Sequence, residues 1–115
     1  MLGVSLAVAV PILAAADAAP GRTIEVTASR FRFDPPAIEL QEGERVLLLL
    51  RSADGTHGFS IKGYDLKTKI PKGGEVVRVQ LVASKVGSFE IACSEYCGSG
   101  HRRMKGTLLV KARAN

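Results

Sequence analysis

Twelve residues late in the chain, Cys93-Ser94-Glu95-Tyr96-Cys97-Gly98-Ser99-Gly100-His101-Arg102-Arg103-Met104, bring two thiols, an imidazole and a thioether into one short stretch. The stretch constrains the fold, because such ligands meet only when the chain bends sharply on a rigid support. Sulfur and imidazole donors together favour copper or zinc over magnesium or calcium, and the methionine three residues after the histidine favours copper, since a thioether is a soft, weak axial ligand. The mononuclear blue-copper set has one cysteine and two histidines. Here there are two cysteines, and a second histidine has to be His57, the one other histidine in the chain. Read without copper, the same residues allow a Cys93–Cys97 disulfide, a zinc site or two free core cysteines.

The rest of the chain reads as the support. Ile24, Val26 and Ala28 alternate with Thr23, Glu25 and Thr27 as in a half-buried strand, which Phe31 and Phe33 extend to a break at Pro35-Pro36. Ile38 and Leu40 alternate again before the turn Gln41-Glu42-Gly43-Glu44, and 46–50 is apolar without alternation, as in a central strand covered on both sides. Val77, Val79 and Leu81 mark another strand, Ser84-Lys85-Val86-Gly87 turns the chain into 88–93, and 107–110 closes the domain. Lys62-Gly63-Tyr64-Asp65 and Pro71-Lys72-Gly73-Gly74 read as turns, the first with the option of lining the metal site. Short strands, Gly-rich turns and no helical periodicity after the leader predict an all-β antiparallel sandwich or Greek-key barrel. Phe89, Ile91 and Cys93 share a strand face, as do His57, Phe59 and Ile61, so Cys93 and His57 point inward. Gly98 and Gly100 permit the bends that bring Cys97, His101 and Met104 round one point.

Residues 2–16 are an apolar run ending in small residues, shorter than the roughly 20 residues of a membrane span. Residues 1–19 are therefore expected to be a signal peptide cut after Ala16 or Ala19, or a short membrane anchor, although no Lys or Arg precedes Arg22. Residues 22–115 then form one domain with one core. After residue 19 the chain has sixteen Lys and Arg against ten Asp and Glu, a balance suited to anionic partners or headgroups. Nucleic acid is not among the expected partners: the cations are scattered, and four Phe, two Tyr and no Trp offer no stacking platform. Phosphate loops and Ser/His/Asp arrangements are missing, so the chain is expected to have no catalytic site of its own.

With His57 upstream, the run Cys93-Ser94-Glu95-Tyr96-Cys97-Gly98 followed by His101 and Met104 resembles the binuclear copper (CuA) motif of cytochrome c oxidase subunit II, and the likeness covers nearly all of 22–112. The resemblance implies a cupredoxin-like Greek-key β-sandwich or barrel holding two copper ions bridged by the thiolates of Cys93 and Cys97. It assigns His57 and Met104 to one copper, and His101 with the main-chain carbonyl of Glu95 to the other. It also implies magnesium on the Glu95 side chain at an interface with the oxidase large subunit, electrons accepted from a c-type cytochrome and passed to a haem-copper oxidase, and a place in the periplasm or on the outer face of the cytoplasmic membrane. Two rival readings are a stand-alone periplasmic electron carrier and a copper storage or delivery protein for oxidase assembly. The chain departs from the family in Gly55, where a valine is usual, in having no Trp for electron entry, and in its basic balance. Tyr96 is the aromatic nearest the ligands, or else a core filler.

Overall fold

The computed structural model describes residues 21–113; the leader expected over 1–19 lies outside them. Nine strands occur among the described residues: β1 (Arg22–Ser29), β2 (Arg32–Asp34), β3 (Ala37–Gln41), β4 (Arg45–Ser52), β5 (His57–Ile61), β6 (Leu66–Ile70), β7 (Val77–Val82), β8 (Gly87–Ala92) and β9 (Lys105–Lys111), with one 3-10 turn at His101–Arg103. They form two sheets, ordered β2-β1-β4-β7 and β3-β9-β8-β5-β6. No helix among the described residues is long and apolar enough to cross a membrane.

Alternation builds the sandwich. Val26 and Ala28 of β1, Val46, Leu48 and Leu50 of β4 and Leu81 of β7 meet Ile38, Leu40, Phe59, Ile61, Ile91, Leu108 and Val110 of the facing sheet, all buried. Phe33 and Phe59 close the gap between the sheets edge to face, ring centroids 5.6 Å apart.

Four expectations change. The sheets are mixed rather than antiparallel: β1 pairs parallel with β4, and β3 parallel with β9. The cause is that β2 turns back antiparallel on β1 and β3 crosses to the other sheet before the chain returns as β4. Consequently Phe31 and Phe33 do not extend β1; the chain turns at Arg30-Phe31. β4 is central but not covered equally on both sides, since Leu47 and Leu49 stay half-exposed while Val46, Leu48 and Leu50 are buried. A further strand, β6, runs between the two turns at 62–65 and 71–74 and pairs only with β5 at the sheet edge.

Candidate metal centre

Among the described residues, all the sulfur and imidazole groups gather at one end of the sandwich, where β5 begins, β8 ends and β9 begins. His57 opens β5 and is completely buried, with Phe59 and Ile61 on the same face. Cys93 follows β8 directly, and Cys93 N–H donates to Met104 O at 3.3 Å, closing the base of the loop from 93 to 104. Within that loop the Cys93 and Cys97 sulfurs lie 3.2 Å apart as free thiols. The ligand atoms of His57, Cys93 and Cys97 all fall within 4.8 Å of one another. From Cys97 Sγ, His101 Nδ1 is 3.6 Å and Met104 Sδ 3.7 Å away. The Glu95 carbonyl oxygen is 3.0 Å from Cys93 Sγ. Thus the six positions singled out in the sequence converge, with Glu95 contributing its main chain while its side chain is half-exposed. Lys62–Asp65 is not near them: it lies at the far end of β5, where Tyr64 packs edge to face on Phe89 at 4.8 Å. Tyr96 is no core filler either, being 77% exposed.

Close backbone approach holds the loop. Gly58 N–H donates to Cys93 Sγ at 3.4 Å, and a Cβ at Gly58 would fall 2.6 Å from Glu95 N. Gly98 adopts φ +131°, a conformation that favours glycine. Gly100 has an ordinary φ of −94° and is needed for room instead, because a Cβ there would stand 2.8 Å from Phe31 Cε2.

Three side chains, besides the backbone of Gly58, escaped the sequence reading. Asp54 Oδ1 sits 2.6 Å from His57 Nε2, while its Oδ2 accepts from Arg30 N at 2.9 Å. Burial opposes ionisation of Asp54, but the bonds from Arg30 N, His57 and Gly55 N outweigh it and hold the carboxyl below its ordinary value. Arg30 also donates from Nε to Cys97 O at 3.2 Å, and Phe31 packs on Gly98 and Gly100, so the β1–β2 turn braces the ligand loop. A signal for Asp54 was present: an Asp-Gly pair three residues before a histidine marks a turn, and here Gly55 N–H donates to Asp54 Oδ1 at 2.7 Å. Arg30 and Phe31 lie more than sixty residues from the loop and carried none.

The donor set fits a soft metal ion. With Nε2–H donating to Asp54, His57 Nδ1 keeps its lone pair, and among the described residues it is buried with no hydrogen-bond partner. An orphaned imidazole nitrogen is costly in a core unless something binds it, and a carboxylate on the other ring nitrogen is the usual support of a metal-binding histidine. Cys97 is pushed up to about 12, by burial first and then by Cys93 as hydrogen-bond partner and neighbouring charge, so the metal-free thiol stays protonated at neutral pH. A thiol in that state leaves the site open to a cation that displaces the proton. An open cleft of about 760 Å³, lined by Arg22, Glu39, Glu44 and Lys111 among others, is at the opposite end of the sandwich and has no part in this cluster.

A two-sheet all-β domain with buried soft ligands gathered on loops at one end is a soft-metal β-sandwich. Its topology and its ligand loop have counterparts. The chain belongs to the cupredoxin-like domain family, whose model matches residues 2–110. It is similar to cytochrome c oxidase subunit 2 of Thermus thermophilus, 35% identical over 89 residues that cover 77% of this chain and 65% of the relative. It is also similar to the nitrous-oxide reductase of Ralstonia nicotianae, 30% identical over 94 residues, covering 78% of this chain and 14% of that protein. Among solved structures it resembles a chain of a heme-copper terminal oxidase dimer, with TM-score 0.70 and 27% identity over 78% of this chain and 65% of the other. The periplasmic domain of subunit II of cytochrome oxidase from Bradyrhizobium japonicum shares the fold, with TM-score 0.73 at 18% identity, covering 82% of this chain and 86% of that one. The chain spans 65% of the Thermus subunit and 52% of a second Thermus thermophilus subunit 2 that it matches at 35% identity. Homology to subunit 2 and the cluster of His57, Cys93 and Cys97 together support copper binding.

Proposed function

We propose that this chain is an electron-transfer domain whose copper is held in a binuclear CuA centre, working as the electron-accepting part of a cytochrome c oxidase on the periplasmic side of the membrane. Cys93 and Cys97 would bridge two ions, with His57 and Met104 on one side and His101 and the Glu95 carbonyl on the other. The observation that carries this reading is the pair of free sulfurs 3.2 Å apart with an unpartnered, buried His57 Nδ1 beside them.

Bound copper would supply a one-electron couple. The protein supplies rigidity: Gly58 N–H holds Cys93, Arg30 and Phe31 hold the loop around Cys97, and Asp54 fixes the His57 ring. Ligands fixed in this way keep their positions whichever charge the site carries, which keeps reorganisation small. Burial of Cys93, Cys97 and Met104, each under a tenth exposed, keeps water from the sulfurs. That burial speaks against storage or delivery, which need an open site from which copper exchanges. The half-exposed Glu95 side chain would take magnesium only when a large oxidase subunit completes the site.

Electron donors and acceptors are tested by mixing the copper-loaded chain with a ferrous c-type cytochrome. Each chain should take up one electron, re-oxidising one haem, and should release no copper to a chelating acceptor. Copper lost to the acceptor without haem oxidation would support the delivery reading instead.

A further inference from the structure

Tyr96 stands out on the surface above the ligands. The residue is 77% exposed, and its ring centroid lies 5.6 Å from that of His101 with a 48° tilt. His101 in turn has Nδ1 3.6 Å from Cys97 Sγ. Arg102 and Arg103, exposed on the 3-10 turn that begins at His101, join this ring on the same loop. Among the described residues neither arginine has an ion-pair partner, whereas the next cation, Lys105, is tied to Glu90 at 2.6 Å, with Lys62 on the same carboxyl at 3.2 Å. Glu95 is the one carboxylate of this loop, against two arginines, and Asp54 is engaged with His57. An exposed tyrosine sharing a loop with two exposed arginines that have no ion-pair partner among the described residues contributes nothing to the core. Tyr and Arg are, however, the residues that most often anchor a protein interface.

We propose that Tyr96, Arg102 and Arg103 form the docking face for an acidic electron-carrying protein, with the Tyr96 ring as its apolar centre. The proposal rests on the electron-transfer reading and adds the charge of the partner, opposite to that of a basic cytochrome. Uncompensated like charge on one face raises the encounter rate of an oppositely charged partner by about 10-fold or more at low ionic strength. The effect is screened beyond about 8 Å at physiological salt.

The probes are a basic c-type cytochrome and the same cytochrome with its lysines succinylated, which reverses its charge and keeps its haem. Each is titrated by calorimetry into the full copper-loaded chain at low and at high ionic strength. The succinylated form should bind, and should bind at least about 10-fold more weakly at high salt, while the unmodified form binds less well at low salt. Arg102→Glu with Arg103→Glu should cost at least about 10-fold at low salt, and Arg102→Lys with Arg103→Lys should keep most of the affinity because it keeps the charge. Tyr96→Ala should weaken binding at both salt concentrations, as loss of an apolar contact does. Tighter binding of the unmodified cytochrome, binding of neither form, or a double glutamate variant that binds like the parent would each overturn the proposal. Failure to take up copper would instead defeat the functional reading, and the same titration on the metal-free chain would still judge the surface.

Discussion

Gly58→Ala should loosen the metal centre without touching any ligand. The added methyl would clash with Ser94 Oγ and come within 2.6 Å of Glu95 N and 2.7 Å of Ser94 N, where ordinary contact begins at 3.4 Å. Both nitrogens are main chain, so rotating a side chain gives no relief, and the loop has to retreat from β5 by roughly 0.8 Å, the shortfall at Glu95 N. That movement stretches the 3.4 Å bond from Gly58 N–H to Cys93 Sγ beyond useful length. Overpacking of this kind costs about 1–3 kcal/mol, and the lost hydrogen bond about 1 kcal/mol more. For a domain of this size a total of about 2–4 kcal/mol lowers the melting temperature by roughly 10–20 °C. The measurements are thermal unfolding of the metal-free chain by circular dichroism and copper uptake by titration. Uptake should weaken along with stability, since Cys93 and the Glu95 carbonyl move with the loop. A variant that melts within about 2 °C of the parent and takes up copper equally well would show that β5 and the loop are not packed as closely as described.

Met104→Leu should leave copper bound while shifting the reduction potential: the side chain is fully buried, a leucine of similar volume costs under about 1.5 kcal/mol, and a weak axial thioether tunes more than it holds; protein-film voltammetry with a copper assay checks both halves. Asp54→Asn removes the charge behind His57 Nε2 and should lower copper affinity by about 10- to 100-fold, measured by competition with a chelator. Glu44 is held below its ordinary value near 4.5 by its hydrogen bond from Arg22, helped by Gln41 N–H and opposed by burial. Since its folded value is lowered, the unfolded chain binds more protons, so this stabilisation is full above the unfolded value and disappears as pH falls through the folded one. Glu44→Gln should therefore cost about 0.5 kcal/mol at neutral pH and nothing in acid, as urea unfolding at several pH values would reveal.

What could be read in advance was what repeats locally. Alternation of Ile24, Val26 and Ala28, or of Phe89, Ile91 and Cys93, states which side chains face inward, and it predicted both the sandwich and the inward aim of Cys93. Spacing within 93–104 likewise brought Cys97, His101 and Met104 to one place, because a short Gly-containing loop leaves few other arrangements. The parallel pairings of β1 with β4 and β3 with β9 were hidden, as nothing local distinguishes a strand that pairs with its neighbour from one that crosses between sheets. β6 escaped because Lys67 and Lys69 are exposed on an edge strand and only Ile70 is fully buried. Gly58, Arg30 and Phe31 act through contacts distant in sequence, which no motif records, and Gly100 looked like a flexible bend when its purpose is to make room for Phe31.

The central claim, that the two sulfurs bridge a copper pair, is tested most directly by copper analysis and electron paramagnetic resonance on one reconstituted sample. An unpaired electron shared equally by two copper nuclei splits into seven lines, and one confined to a single copper splits into four. Two coppers per chain with the seven-line pattern is the result predicted from Cys93 and Cys97 lying 3.2 Å apart with His57, His101 and Met104 gathered around them. One copper per chain with four lines would contradict it, and would make Cys97 a bystander to a mononuclear site.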